Sequence, residues 1–327
     1  MLCAFIIGSN SFSGQALANF LLKKKYRVIG ISRSSIKKNH FLSFNKRHIN
    51  FNFFKLDINK DQKKIINLIK RYKPIYVINF SAQSMVGESW NSPEDWFYTN
   101  SYSLPVLYNK IYDLNIIKRL VHISTPEVYG SNSKLLKENN IFNPSTPYAV
   151  SRTTSDLYLN ILNQFKGYDF VSTRASNVYG EFQDLYRIIP KTIFNFASGN
   201  KIYLDGGGLS KRSFIHIDDV SEATFLIMKK GISGETYHIS TNEFISIYNL
   251  AKNIAFLMKK DHKNLISRLK SDRMGKDQYY KLNSDKLKKL GWKPKISLEK
   301  GILRTHRWIN ESFEKFSSKD IIYSHKK

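Results

Sequence analysis

An apolar run at residues 2–7 passes directly into Gly8-Ser9-Asn10-Ser11-Phe12-Ser13-Gly14, and from there into a helical pattern lasting to residue 22. Few features limit a fold as strongly. A strand that enters a helix through a glycine-punctuated loop builds a βα unit, and repeated βα units stack into a parallel sheet with helices on both faces. Gly8 permits the tight turn, and Gly14 lets helix and strand approach closely. The helix amino terminus is then a site for a pyrophosphate. The spacing alone is a weak signal; its place between a strand and a helix makes it a strong one.

The pattern continues in kind. Apolar strands are expected at residues 27–31, 51–56, 76–80, 120–123 and 170–174, with a helix at 61–72. A further helix is expected to open at Ser145 and Thr146, with Pro147 in its first turn and helical spacing from Ala149 to Leu159. This alternation specifies an α/β chain with a Rossmann-type doubly wound parallel sheet over residues 1–174. Residues 175–327 then make mainly a smaller α/β substrate-binding cap, with roughly 213–229 returning to the sheet domain. A ligand would lie between the two, at the carboxyl ends of the strands. From Phe313 onward the pattern is lost and a frayed tail is expected.

Composition narrows the classes. The chain has 327 residues, 42% of them hydrophobic, enough for a substantial core. It holds no run of 18 apolar residues, so no membrane span is expected, nor a cleaved signal peptide. The single cysteine, Cys3, can form no internal disulfide and supply no metal cluster, which points to a reducing cytoplasm and no metal. The net charge of +26 would suit a polyanionic partner. The lysines are spread along the whole chain, however, and a solvated basic surface accounts for them without nucleic acid.

Two stretches carry chemistry. The second strand ends in Ser32-Arg33-Ser34-Ser35, with no carboxylate to hold ribose hydroxyls. Arg33 and the hydroxyls suit a 2′-phosphate instead, so NADP is expected, with NAD the alternative. The second stretch runs from His122 to Arg152. It places Thr125 and Glu127 at a strand end, and Tyr148 and Arg152 four apart on one helix face. A hydroxyl, a carboxylate, a phenol and a cation gathered in this way suit a site that moves protons.

HISTPEVYG at residues 122–130, followed by PYAVSR at 147–152, resembles the extended short-chain dehydrogenase/reductases, and among them the nucleotide-sugar 4,6-dehydratases of the GDP-mannose and dTDP-glucose kinds. Glu127 discriminates, because the sugar-nucleotide 4-epimerases of the same superfamily usually lack a carboxylate there. The resemblance runs from Gly8 to Pro294 and implies further roles. Asn10, Ser11, Phe12 and Ser13 would line the cofactor loop. Asp57 and Ile58 would lie by the adenine, unless Asp57 only caps a helix, and Phe80, Ser81, Ala82 and Gln83 beside the nicotinamide ribose. Ser84, Asn177, Arg187, Arg212 and Arg273 would hold the nucleotide diphosphate hexose, with Arg212 as a pyrophosphate clamp. Asn100 would brace the central strands. His216 is taken as a strand side chain satisfied by its neighbours. Relatives of this kind imply a homodimer or homotetramer.

The implied reaction converts a nucleotide hexose to its 4-keto-6-deoxy form. Tyr148 takes the C4 hydroxyl proton while hydride passes to the nicotinamide, Thr125 bonds the C4 oxygen, Glu127 takes the C5 proton, water leaves C6, and the hydride returns to C6. The sequence departs from the pattern in several places. Arg152 stands where the family has lysine, Pro126 where the dTDP-glucose enzymes carry aspartic acid, Ser11 where a glycine is usual, and Glu181 where a proline is usual. A 4-epimerase or related sugar-nucleotide oxidoreductase, and a non-catalytic member binding nucleotide or RNA, are the alternative readings.

Overall fold

The computed structural model describes residues 1–271, 279 and 281–325. Arg273 therefore lies outside the described residues. The first half of the chain runs β1 (Cys3–Ile7), α1 (Phe12–Lys23), β2 (Arg27–Ser32), β3 (Phe51–Lys55), α2 (Gln62–Tyr72), β4 (Tyr76–Asn79), α3 (Pro93–Trp96), α4 (Leu104–Leu114), β5 (Arg119–Ile123), α5 (Pro147–Lys166) and β6 (Phe170–Ala175). Then follow β7 (Asn177–Tyr179), α6 (Ile188–Ala197), β8 (Ile202–Leu204), β9 (Lys211–Arg212), β10 (Phe214–His216), α7 (Ile217–Lys230), β11 (Thr236–Ile239), β12 (Ile245–Ser246), α8 (Ile247–Leu257), β13 (Ile266–Arg268), α9 (Asp285–Lys289) and α10 (Leu298–Glu311).

The main sheet has seven parallel strands in the order β11-β6-β5-β4-β1-β2-β3, the doubly wound architecture expected from the alternation. Its central strands β1 and β4 are buried on both faces, which is why they are largely apolar rather than alternating. Ala4 and Ile6 meet α1 and α7, through Leu17, Leu21, Ala223 and Ile227. Phe5 and Ile7 meet α2, α4 and α5, through Ile65, Leu107, Ile111 and Leu159. Each of the buried Ile, Leu and Phe side chains contributes about 1.5–3 kcal/mol by leaving water. Ile7 pairs with Asn79, and Asn79 with His122, so the carboxyl ends of β1, β4 and β5 finish level. The order reverses between β1 and β4, and the loops after β1, β4 and β5 leave the sheet at that end.

The sheet takes its edge strand, β11, from beyond the 213–229 stretch. That strand is too short to be told by periodicity from a buried helical turn. The cap has its own core around α6, α8 and α10, built on Ile193, Phe196, Leu250, Ile254 and Ile309. Residues 313–325 are not frayed, contrary to expectation. Phe313 stacks on Phe194 at 5.3 Å, and Phe316 packs on Trp308 at 5.4 Å and Phe41 at 5.3 Å. A capping box between Ser317 and Asp320 then starts the turn Ser318–Ile321. Aromatic anchoring, which has no helical or strand period, holds this tail. Among the described residues no helix is long and apolar enough to cross a membrane.

Candidate active site

The site is assembled by local capping. At the glycine turn Gly8 has φ +80°, and a Cβ there would lie 2.7 Å from the Ser81 nitrogen. A Cβ on Gly14 would lie 2.3 Å from the Gly8 carbonyl oxygen. Neither position can carry a side chain. Ser11 needs no glycine, because its backbone is extended at φ −68°. Its hydroxyl donates to the Gly8 carbonyl at 2.7 Å and accepts from the Gly14 N–H at 3.1 Å, capping α1. The Asn10 amide is turned to the loop after β2, donating to Ser34 Oγ at 2.8 Å and to the Ser35 carbonyl at 2.6 Å. Phe12 and Ser13 are half-buried in the first turn of α1.

Arg33 leans toward Gln83, with Nη2 3.5 Å from Oε1. Asp57 accepts the Asn59 N–H at 2.8 Å, and Ile58 is buried against the sheet. Phe80, Ser81 and Ala82 follow β4 half-buried, Gln83 is buried and Ser84 exposed. Gln83 is fixed by Asn100, whose Oδ1 accepts its N–H and whose Nδ2 donates to its carbonyl, both at 3.0 Å. Asn100 also donates to Ser151 Oγ on α5 at 3.0 Å. It sits in a π-helical stretch, Phe97–Ser103, a widened turn of the kind that often marks functional sites.

Thr146 caps α5, its hydroxyl accepting from the Ala149 N–H at 3.1 Å, and Pro147 occupies the first position, where a missing N–H costs nothing. Tyr148 and Arg152 follow on the same face, both buried. Thr125 caps the turn Pro126–Tyr129, accepting the Glu127 N–H at 3.3 Å. Pro126 is the first residue of that turn, so its fixed φ suits the geometry that aims Glu127. The Tyr148 phenol bonds Thr125 and lies within electrostatic reach of Arg152, Glu127 and Arg187. Burial, first, pushes its pKa above the usual tyrosine value; Arg152 opposes this, Glu127 adds to it, and the Thr125 bond and Arg187 oppose it again.

Arg152 has a buried guanidinium whose Nη2 donates to the Ile123 carbonyl and lies 3.4 Å from His122 Nε2. Its Nε and Nη1 are buried without a partner among the described residues. Behind it lies a network the sequence reading missed. Tyr108 accepts from Asn79 Nδ2 at 2.6 Å and donates to His122 Nδ1 at 2.7 Å. His122 Nε2 then donates to Asp156 Oδ1 at 3.0 Å, while Asp156 Oδ2 accepts from Ser124 at 2.7 Å and Arg174 at 2.7 Å. Arg174 donates onward to Tyr129, whose hydroxyl lies 2.9 Å from His238 Nε2. Burial pulls Asp156 toward protonation, but Arg174, His122 and Ser124 together hold its carboxyl well below the usual range. The available signal was spacing: Tyr148, Arg152 and Asp156 repeat every four residues along one helix.

His238 carries a pH prediction. Burial first, then the Arg174 charge, lowers its pKa from 6.5 to about 3. Between those values the unfolded chain binds a proton that the folded chain refuses, so stability falls as pH falls. Urea unfolding should show a loss of up to about 2 kcal/mol between about pH 6.5 and 5, and His238→Asn should flatten that slope.

Of the residues expected to hold the sugar nucleotide, Asn177 opens β7 with its N–H on the Ser213 carbonyl at 3.1 Å. Arg212 is buried in β9, and Arg187 stands before α6 with its guanidinium 5.3 Å over the Tyr186 ring. His216 is held by Glu181, Nε2 to Oε2 at 2.9 Å, and Glu181 also accepts from Arg304 at 2.7 Å. The residue replacing the usual proline thus ties the loop after β7 to α10. A groove of about 880 Å³ beside α10, lined by Asn39, Glu181, Arg307 and Trp308, contains none of Thr125, Glu127, Tyr148 or Arg152.

A parallel sheet opened by this turn, with a buried tyrosine and a cation four residues on, defines a member of the extended short-chain dehydrogenase/reductases. Residues 5–305 match the family model described as GDP-mannose 4,6 dehydratase, and the chain belongs to that family of nucleotide-sugar 4,6-dehydratases. It is 32% identical over 274 residues to the dTDP-D-glucose 4,6-dehydratase of Mus musculus, covering 82% of this chain and 77% of the relative. The solved dTDP-glucose 4,6-dehydratase of Streptomyces venezuelae, with NAD bound, superposes with a TM-score of 0.86 at 26% identity, covering 96% of this chain and 99% of that one. The UDP-glucose 4-epimerase of Thermotoga maritima, with UDP-glucose, gives a TM-score of 0.87 at 26% identity over 95% and 100%.

Proposed function

We propose that the chain is a nucleotide diphosphate hexose 4,6-dehydratase, a carbon–oxygen lyase that yields the 4-keto-6-deoxy sugar. The observation that carries this reading is Glu127, set by the Thr125 cap within electrostatic reach of the Tyr148 phenol. The epimerase fold is as close as the dehydratase fold, so the carboxylate rather than the fold favours dehydration.

A nicotinamide dinucleotide fits the residues present. The Gly8 and Gly14 cradle leaves room only for backbone, and the unpartnered Nε and Nη1 of Arg152 offer two buried donors for ribose hydroxyls. When bound, the dinucleotide supplies the hydride acceptor and donor. Solved relatives hold NAD, which weighs for NAD; Arg33 and the absence of a carboxylate after β2 weigh for the 2′-phosphate of NADP. Asn177, Arg187, Arg212 and Arg273 are the residues assigned to the sugar nucleotide. Tyr148 draws the C4 hydroxyl proton, Thr125 orients that oxygen, and Arg152 and Arg187 stabilise the phenolate. Glu127 takes the proton from C5 and returns one to the departing C6 hydroxyl, a task that Pro126 cannot perform.

Glu127→Gln tests the assignment. The variant should bind NAD⁺ and NADP⁺ as the parent does in the same titrations, yet form keto-deoxy product at least ~100-fold more slowly on a panel of GDP-, dTDP-, UDP- and CDP-hexoses. Full activity would remove Glu127 from its role. The lone buried thiol, Cys3, favours a reducing cytoplasm.

The partner is a second copy of the chain. Val150, Leu157, Ile161 and Phe165 form one exposed apolar stripe on α5, with Phe165 74% exposed, beside Tyr98 and Tyr102 of the π-helical stretch that α5 packs against. A patch of this kind on neighbouring helices suits a self-complementary interface. Sedimentation should give a dimer or tetramer, reduced to monomer by Ile161→Glu/Phe165→Glu.

A further inference from the structure

Residues 322–325 leave the cap and end on the sheet domain. Ile321 packs against the cap core. Tyr323 then meets Tyr186 edge-on, ring centroids 5.3 Å apart. Two residues later His325 crosses to α3, where Nε2 lies 2.7 Å from Asp95 Oδ2 and the ring stacks on Trp96 at 4.9 Å with 17° between planes. Trp96 is 0% exposed, with the His325 ring laid against its indole. Between these two anchorages Tyr323 lies within electrostatic reach of Arg33, Glu88 and Arg187. Arg33 belongs to the loop assigned to the dinucleotide, and Arg187 to the loop assigned to the sugar nucleotide. The phenol therefore stands between the two nucleotide sites, on a segment attached at both banks of the cleft. A second tie, Lys37 Nζ to Asp184 Oδ1 at 2.7 Å, joins the same two loops.

We propose that residues 322–325 form a strap that closes over the bound nucleotide, latched by His325 on Asp95 and Trp96 and pressed down by Tyr323 beside Tyr186. Each contact is modest alone. An aromatic pair and a half-buried hydrogen bond on one short segment together set how fast a covered ligand escapes. The segment is short and attached by few contacts, so it opens without disturbing either core. Tyr323 acts in the strap through its ring, set edge-on to Tyr186.

This proposal rests on the reading of the cleft as a dinucleotide site, and the test separates the two. The full chain, loaded with NAD⁺ or NADP⁺, is chased with excess unlabelled dinucleotide while release of the bound one is followed. Tyr323→Ala/His325→Ala should release it about tenfold faster than the parent, with an unchanged unfolding temperature, and Tyr323→Phe should keep the ring contact and release at close to the parental rate. Asp95→Asn reads the same latch from the opposite bank, and should speed release by about threefold even if the double variant does not fold. Unchanged or slower release in these variants overturns the strap alone. A parent chain that retains neither dinucleotide overturns the reading of the cleft, and the strap with it.

Discussion

Tyr148→Phe should lower turnover by roughly a thousandfold while leaving dinucleotide retention intact, the size expected when a positioned proton-transfer group is lost. The substitution removes one oxygen from a buried ring and leaves α5, its Thr146 cap and the neighbouring Arg152 in place. The phenol must ionise to act, and its surroundings compete over that step. Burial raises its pKa and Glu127 adds to the rise; Arg152, Thr125 and Arg187 pull it back. The phenol of the protein alone stays above the ordinary tyrosine value, so turnover should climb with pH on the alkaline side of neutrality. The positive charge of an oxidised nicotinamide adds to the arginines and shifts that limb toward neutral pH. Arg152→Met should move it the other way. A rate that falls with rising pH, or a Phe variant within tenfold of the parent, would remove Tyr148 as the base.

Asp156→Ala should cost about 3–5 kcal/mol of unfolding free energy, the range for removing one partner of a buried charge network. Its carboxylate is the negative charge facing Arg174 Nη2 at 2.7 Å and His122 Nε2 at 3.0 Å, with the Arg152 guanidinium beside the same histidine. Without it two guanidinium groups remain buried and His122 loses the acceptor that fixes its tautomer. Asp156→Asn keeps the shape and one acceptor oxygen, so its loss should be smaller than that of the alanine variant. Urea unfolding reads both. Equal stability in parent and alanine variant would mean that water or a shift of Arg174 replaces the carboxylate.

The sequence disclosed most where side chains are dictated by backbone. Gly8 and Gly14 could be placed because no other residue fits their contacts, and the helix at Thr146-Pro147 because caps are local chemistry. Six strands of the sheet followed from short apolar runs, and the seventh, β11, did not. What stayed hidden depends on distance along the chain. Asp156 meets His122 across 34 residues, and Tyr129 meets His238 across 109; nothing in local pattern announces either pair. The residues past Phe313 looked patternless for a related reason, since Phe313 and Phe316 are held by Phe194, Phe41 and Trp308, which no helical or strand period connects. Ser11 was the opposite case. It looked like an impaired glycine, and its extended backbone with two hydroxyl bonds makes it a cap.

Strand β11 pairs with β6 from Ser172↔Thr236 to Ala175↔Ile239, although α6 and much of the cap intervene between them in the chain. A polypeptide cut after residue 175 would therefore present β6 as a naked edge, with its row of backbone donors and acceptors open to any passing strand. Such a fragment would aggregate sooner than fold, and the emerging chain meets the same hazard until the later strand arrives. That late pairing thus ties the chain beyond the cap segments back to the strand that precedes them.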